Sequence, residues 1–516
     1  MKKASRWQRF KRWFGFGKAS AFYRGAAPSR SRADWITHSS GPNTTLNAAS
    51  RKVLVARHRD MVRNDAHIAR VVSIYVHALV GTGLVGTARH DAKDPESKEL
   101  AAQADALYRK VAKRGVLDAL GLETAEGLQA QIVRAWLDGM VFVRRVWDKT
   151  APVVPMRLQV LEADLLDESL TRSIDGGGII RNGVEQNAAG RVVAYWMLPE
   201  HPGETVFGVS SRSERVPVED IMQLKLPGRP GALTAAPLTA PVMVTKKNLG
   251  DFEDYTLIQK KSESLVVGVV TREPYSEWNP APAQDGPFYD EDGKEIEPDV
   301  VVPGVVNADG ELVGTMTPGQ WLGVEAGTDV RFNQPQLSSN YDVFKRSHLQ
   351  SVGAGTNISY EQLTGDFANA NYSTMRGGML EFWAEIDTLL WVYFVPLWDQ
   401  VWQWIMEAAY LAGELPTADV EAEWQAPARP SIEPDKDAIA ALIQVRAGWL
   451  DEDDVIKANG YQPDKLRERI KANNVKRDAA GIVSDADPRL YSWRGSAPVN
   501  AAPLTPDDAG GGQEAA

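Results

Sequence analysis

The seven histidines, His38, His58, His67, His77, His90, His201 and His348, are scattered along the chain. There is no H-E-x-x-H and no pair four residues apart, so no helix face offers two imidazoles to a zinc ion. Cysteine is absent, which excludes a thiolate metal site, a cysteine nucleophile and a disulfide framework. No G-x-S-x-G elbow exposes a serine, and no G-x-x-x-x-G-K-[ST] cradles a phosphate. One nucleotide-like run does occur, Gly81-Thr82-Gly83-Leu84-Val85-Gly86. A dinucleotide site needs a strand before such glycines and a helix after them. Here the preceding VVSIYVHALV has a 3.6-residue period, and no acidic residue ends a following strand near position 103. A helix stopped by a C-cap glycine and a turn is the reading expected instead. Carboxylates are abundant, but abundance in an acidic chain does not make a catalytic pair. The expectation is therefore no catalytic residue, no cofactor and no metal.

Residues 353–383, GAGTNISYEQLTGDFANANYSTMRGGMLEFW, stand apart. They read as helix, polar loop, helix. The loop is rich in amides and hydroxyls (Asn357, Ser359, Thr364, Asn369, Asn371, Tyr372, Ser373). Its acids are Glu361 and Asp366, and Arg376 lies one turn into the next helix. Asn371 or Ser373 suits the N-cap of that helix.

The elements that must hold this loop follow from periodicity. Arg51 to Leu79 reads as helical, with Ile68, Val71, Val72, Tyr75 and Leu79 on one face. Helical patterns recur at about 95–120 and around Gly127–Asp138, and Met140–Trp147 alternates as a strand. Residues 156–226 read mostly as β, with hairpin tips at Arg181–Val184 and Ala189–Gly190. Leu238–Lys261 is helical, with Val242, Leu249, Phe252 and Thr256 on one side. Residues 266–335 read as a loop-rich β insertion, followed by a helix at about Tyr341–Gly353. Thr374–Ala412 reads as one long helix kinked at Pro396, its apolar face built by Trp383, Leu390, Phe394, Leu397, Trp398, Val401 and Ile405. A last helical pair is expected near 435–473, and residues 479–516 thin into a disordered end.

With 516 residues, 43% of them hydrophobic and 24% charged, the chain has globular composition and room for about three structural units. Its longest apolar run, Leu389–Trp398, is half of what a bilayer needs and is flanked by Asp387 and Asp399. No membrane crossing is expected, and MKKASRWQRFKRWFGFGKAS lacks the apolar run of a signal peptide. Charge is uneven. Residues 1–32 hold ten Lys/Arg and no acid, with Trp7, Phe10 and Phe14 at helical spacing; the remainder has 47 basic against 68 acidic side chains, net −21. Such a body is a poor static binder of nucleic acid, though it can surround it.

The 353–383 segment resembles the signature of lambda-type bacteriophage portal proteins, I-x-Y-E-x-L-T-G-D followed by N-Y-S-[ST]-x-R. The matching residues are Tyr360, Glu361, Leu363, Thr364, Gly365, Asp366, Asn371, Tyr372, Ser373 and Arg376. The likeness extends to Phe22-Tyr23-Arg24-Gly25-Ala26, to Arg57–Asn64, to Val80–Leu84, to Arg229-Pro230-Gly231 and to Pro396. It departs from the family at RPGALTAAP, where the family's R-P-G-Q-x-R-G-[VI]-P is degraded, and the tail matches nothing.

What the resemblance implies is an α+β portal fold, a ring-forming and non-enzymatic subunit. It implies a basic arm at 1–45, an α/β wing at 46–235, a stem helix at 236–265, a clip at 266–338 and a second stem helix at 339–354. A tunnel loop would follow at 355–372, a long wing and crown helix at 373–425, a helical crown at 426–473 and a disordered tail at 474–516. The expected assembly is a homo-oligomer, usually twelvefold, at one capsid vertex of the virion, put together in the bacterial host cytoplasm. Double-stranded DNA would pass through it without sequence readout during packaging and ejection. The terminase large subunit, the major capsid or scaffold protein and head-completion adaptor proteins would be its partners, and it would nucleate the procapsid. Asp366, Asn369, Asn371 and Tyr372 would line the channel, while Arg376 would meet DNA or bridge adjacent subunits. The alternatives are a nucleic-acid enzyme of the packaging apparatus and a peripheral membrane protein working through the basic arm.

Overall fold

In the computed structural model, residues 40–91, 93–204, 212–272, 341–368, 370–431 and 433–482 are described, with short strands between 288 and 325. The expectations for the basic arm before residue 40, for Asn369 and for the tail beyond residue 482 lie outside the described residues. The described chain mixes helix and sheet.

The helical run expected over 51–79 is two helices, α1 (Ala48–Asn64) and α2 (Ala66–Leu79). Asp65 is the reason. Its backbone is extended, and its carboxylate accepts the N–H groups of His67 and Ile68, capping α2. The periodic face Ile68, Val71, Tyr75 and Leu79 is buried. After α2 the chain turns through Gly81 and Gly83, both at positive φ (51° and 111°), into strand β1 (Val85–Ala88). A helix before these glycines and a strand after them is the reverse of a dinucleotide site.

Helix α3 (Pro95–Val111) packs against β1, and α4 (Ala125–Leu137) packs on a three-stranded antiparallel sheet ordered β3-β2-β9. Its strands are β2 (Met140–Trp147), β3 (Met156–Glu162) and β9 (Ile221–Lys225), with Val143 opposite both Val160 and Met222. Alternation sends Val141 and Val143 into the main core, and Met140 and Phe142 into a second core with Leu161, Tyr195 and Ile221. That second core is covered by an antiparallel meander of β4 (Arg172–Ser173), β5 (Ile179–Arg181), β6 (Val184–Gln186), β7 (Val192–Met197) and β8 (Glu214–Pro217). Asn182 and Gly183, at φ 50° and 76°, make the expected hairpin tip.

Helix α5 (Met243–Leu265) lies against α6 (Tyr341–Gly355). Phe252 stacks on Tyr341 at 5.7 Å and touches Phe344 at 4.3 Å, and Lys345 pairs with Glu253 at 2.7 Å. The connection between them contains a parallel pair, β10 (Val266–Arg272) with β15 (Gln320–Glu325). Two antiparallel pairs lie inside it: β11 (Phe288–Tyr289) with β12 (Glu295–Ile296), and β13 (Val305–Val306) with β14 (Leu312–Val313).

Helix α7 (Tyr360–Thr364) is a short element inside what reads from the sequence as loop. It leads to α8 (Tyr372–Leu389), a π turn at Leu390–Phe394 and α9 (Val395–Leu411). The expected kink at Pro396 thus takes the form of a π turn just before the proline. Val395 donates to the Leu390 carbonyl five residues back, which accommodates a residue with no N–H. Within the apolar run Leu389–Trp398 one face is core and Trp391 and Val392 stay exposed: Phe394 meets Trp136 edge-on at 5.1 Å, and Trp398 and Trp402 are wholly buried. Among the described residues no helix is long and apolar enough to cross a membrane.

Strand β16 (Ala422–Gln425) pairs antiparallel with β1, joining an early segment of the chain to a late one. The last helical pair is in fact three helices: α10 (Pro434–Arg446), α11 (Glu452–Ala458) and α12 (Pro463–Ala479).

Candidate functional site

Helix α6 ends in a sharp reversal. Thr356 is fully buried, Asn357 adopts a left-handed φ of 54°, and Ile358 N–H returns to the Gly353 carbonyl at 2.9 Å. The approach is so close that a Cβ on Gly353 would lie 2.6 Å from the Ile358 carbonyl oxygen. Tyr75 on α2 fixes the turn by donating its hydroxyl to the Thr356 carbonyl at 3.0 Å. Burial pushes that phenol well above its ordinary range.

Ser359 then caps α7 in a reciprocal box with Gln362: Ser359 Oγ accepts Gln362 N–H at 3.2 Å, and Gln362 Oε1 accepts Ser359 N–H at 3.2 Å. Leu363 is buried, Thr364 bonds back to the Tyr360 carbonyl at 2.8 Å, and Gly365 ends the helix at φ 73°. Tyr360 lies under the Arg346 guanidinium, 5.1 Å from ring centre. Glu361 contributes its backbone carbonyl, which accepts Gly365 N–H at 2.8 Å. Arg70 reaches across from α2 to the Gln362 carbonyl at 2.6 Å. Tyr360, Leu363, Thr364 and Gly365 are thus a folded element held by α2.

Asp366 is exposed, and its carboxylate accepts Ala368 N–H at 3.1 Å. Asn371 is the N-cap of α8, its Oδ1 accepting both Thr374 N–H and Thr374 Oγ1–H at 2.8 Å. Ser373, the other cap candidate, lies exposed inside the first turn. Tyr372 and Arg376 both point to the segment leading into α10. Arg376 Nη1 donates to Tyr372 Oη at 2.7 Å, and Tyr372 Oη donates to Glu433 at 2.7 Å. Arg376 Nη2 meets Asp437 at 3.2 Å. Lys436, with its ammonium 2.8 Å from Glu433, holds that carboxyl below its usual range together with Tyr372. Ser431 and then Arg376 do the same for Asp437. Arg376 thus bonds within its own subunit. Sequence spacing gives no hint of this network, because Glu433 and Asp437 lie 61 residues from their partners.

The structure also assembles one carboxylate–histidine group that the sequence does not signal. Ligand atoms of Glu162, Asp164 and His201 lie within 4.8 Å of one another, the one such group among the described residues. Its chemistry does not suit a metal. The Arg59 guanidinium already sits among these acids, 3.0 Å from Glu162, 2.9 Å from Asp164 and 2.6 Å from Asp138. His201 Nδ1 accepts Gly203 N–H at 3.0 Å, so its proton resides on Nε2, the nitrogen facing the acids. Arg51, 1% exposed, forks onto Glu168 at 2.6 and 2.9 Å. The cluster is an ion network tying α1 to the end of β3. Within it, burial and Arg59 lower His58 to about 4, and burial raises Asp138 to about 6 against the pull of Arg59.

A family model described as "Phage portal protein, lambda family" matches residues 28–389. The chain is similar to a probable portal protein of Halomonas phage phiHAP-1, 22% identical over 400 residues, covering 73% of this chain and 70% of the relative. It is also similar to portal protein B of Escherichia phage lambda, 34% identical over 79 residues, 15% of this chain and 14% of that one. Among solved structures, the neck of an empty gene transfer agent particle, computed with C6 symmetry, aligns at a TM-score of 0.41 and 14% identity. That alignment covers 80% of this chain and 94% of the other.

Proposed function

The chain belongs to the lambda family of phage portal proteins, and from that premise we propose that it is the subunit of a closed ring, usually twelvefold, through which double-stranded DNA passes at one capsid vertex. In this reading 46–235 is the wing, α5 and α6 are the stem, 266–338 is the clip that seats the terminase, and 355–372 is the tunnel loop. The α8–α9 rod and the helices after it form the spine and crown. Capsid, scaffold and head-completion proteins are its other partners, and the role is that of a conduit without catalysis.

The observation that carries the reading is the course of the chain through the family signature. Two helices packed side by side, the first 23 residues long and so about 35 Å, deliver the chain at Gly353 into a turn braced by Tyr75 and Arg70. From there it runs through the exposed stretch around Asp366 to the Asn371 cap. A rigid frame holding a polar loop is what a channel constriction needs. Charge fits as well. A body of net −21 forms few of the Lys/Arg–phosphate contacts that release counterions and add affinity, so DNA slides. Amide and hydroxyl groups at Asn369, Asn371 and Tyr372 touch phosphate or sugar without reading bases, and the Asp366 carboxylate sits near the constriction. A ring requires heterologous contacts whose rotation closes.

The test is a photo-crosslinking residue at position 366 or 372, with position 147 as an outside control, in particles filled with DNA. Adducts at the first two and none at the third support the channel assignment; equal labelling of all three, or none, contradicts it.

A further inference from the structure

The three C-terminal helices bury no residue of their own: every side chain of α10, α11 and α12 keeps solvent access. They are tethered to the rest of the chain by polar contacts, among them Arg376–Asp437 at 3.2 Å, Lys457–Glu423 at 2.7 Å and Lys465–Asp105 at 3.6 Å. Apolar side chains are left in water, Trp449 at 80%, Ile443 at 57% and Val475 at 62% exposure. A helical unit with no buried face of its own gains its packing from something else.

Its charge says what. Residues 433–454 hold seven acids and two bases, and residues 455–477 hold seven bases and two acids. The helix macrodipole explains the acids in the first turns of α10 and α11. On α12 it accounts for Asp464 in the first turn and for Lys476 and Arg477 in the last, and not for Lys465, Arg467 and Arg469 between them. Arg467 reaches back to Asp453 within the unit. Lys471 and Lys476 on one half, and Asp435 on the other, have no ion-pair partner among the described residues.

We propose that residues 433–477 are a heterologous docking surface for a second copy of this chain, the acidic half of one copy seating the basic half of the next around an apolar centre at Ile443 and Trp449. The inference rests on the ring reading and specifies which surface closes the ring and by what chemistry. Two unlike, mutually complementary halves pair either head to tail, which closes a ring, or about a two-fold, which stops at a dimer, and the sedimenting mass separates the two. Like-charged faces meeting in the wrong register are penalised, so the split also fixes the register of the contact.

The test compares the full chain with three charge variants by sedimentation at low and high salt. The variants are Lys471→Glu with Lys476→Glu, Asp435→Lys with Asp454→Lys, and all four together. Each reversed pair is expected to raise the concentration needed for assembly about tenfold at low salt, and the fourfold variant to restore it. Trp449→Ser, a change at an exposed site, is expected to weaken assembly while leaving the subunit's melting unchanged. Reversed pairs that assemble like the parent overturn this surface and leave the ring reading intact. A parent that never assembles overturns both. The segment 483–516, with five acids and two bases, is the other candidate occupant of the basic half. A chain ended at residue 482 should keep its rings, and loss of them would assign the basic half to that segment instead.

Discussion

Gly353 offers a test of the turn that carries the signature. A methyl group there would sit 2.6 Å from the Ile358 carbonyl oxygen, whereas carbon and oxygen rest at about 3.3 Å even in close contacts. Relief needs a shift of roughly 0.7 Å. The neighbour is backbone and cannot swing away as a side chain would. The shift therefore stretches the Ile358–Gly353 hydrogen bond and pulls on the Ser359 cap. Overpacking of this kind costs about 1–3 kcal/mol, offset by roughly 1 kcal/mol from replacing glycine inside a helix. Gly353→Ala is thus expected to destabilise by up to about 2 kcal/mol. Gly377 is the control. It lies within α8, and a Cβ there meets nothing within 4 Å. Gly377→Ala should stabilise by about 0.5–1 kcal/mol. At about 2–4 °C per kcal/mol for a unit of 150–250 residues, the two variants should move the melting temperature in opposite directions by a few degrees. Scanning calorimetry at several rates separates this from irreversible loss. A Gly353→Ala protein that melts higher than the parent, as Gly377→Ala should, would refute the tight turn.

Three further outcomes follow. Asn371→Ala removes the acceptor for two Thr374 donors and should cost about 1 kcal/mol by chemical denaturation. Arg376→Ala frees Tyr372 and Asp437 from each other; proteolytic cleavage between residues 365 and 371 should quicken while the melting temperature barely moves, because the network is exposed. The third concerns pH. His58, lowered to about 4 from 6.5, binds more protons unfolded, so its contribution is lost as pH falls from 6.5 toward 4. Asp138, raised to about 6 from 3.8, binds more protons folded, so its contribution grows as pH falls through 6. The two oppose each other in the parent. In Asp138→Asn only the histidine remains, and stability should drop on acidification from pH 6.5 to 4 by about 2–3 kcal/mol more than in the parent. A parallel pH profile would contradict that assignment.

What was legible in the sequence was whatever rests on local period and capping. The buried face of α2, the strand Met140–Trp147, the Asn182–Gly183 tip and the Asn371 cap all follow from residue types within one or two turns. The glycine run at 81–86 was readable as a turn for the same reason, since the period before it is helical. The break at Asp65 was harder, because a helix that stops and restarts keeps its hydrophobic period while one carboxylate changes the backbone. Helix α7 was hidden because five residues carry too little period, although the Ser359–Gln362 capping box was there to see. The partners of Tyr372 and Arg376, the bracing by Arg70 and Tyr75, and the Arg59 ion network depend on contacts made only by folding. Single-sequence spacing holds no record of them.

Closure of this portal-family chain into a ring with an open axis is read out by electron microscopy of the purified protein together with its mass in solution. Rings of about a dozen subunits around an axial hole are the expected result. A monomer or dimer at every concentration, even beside scaffold or capsid protein, would contradict it.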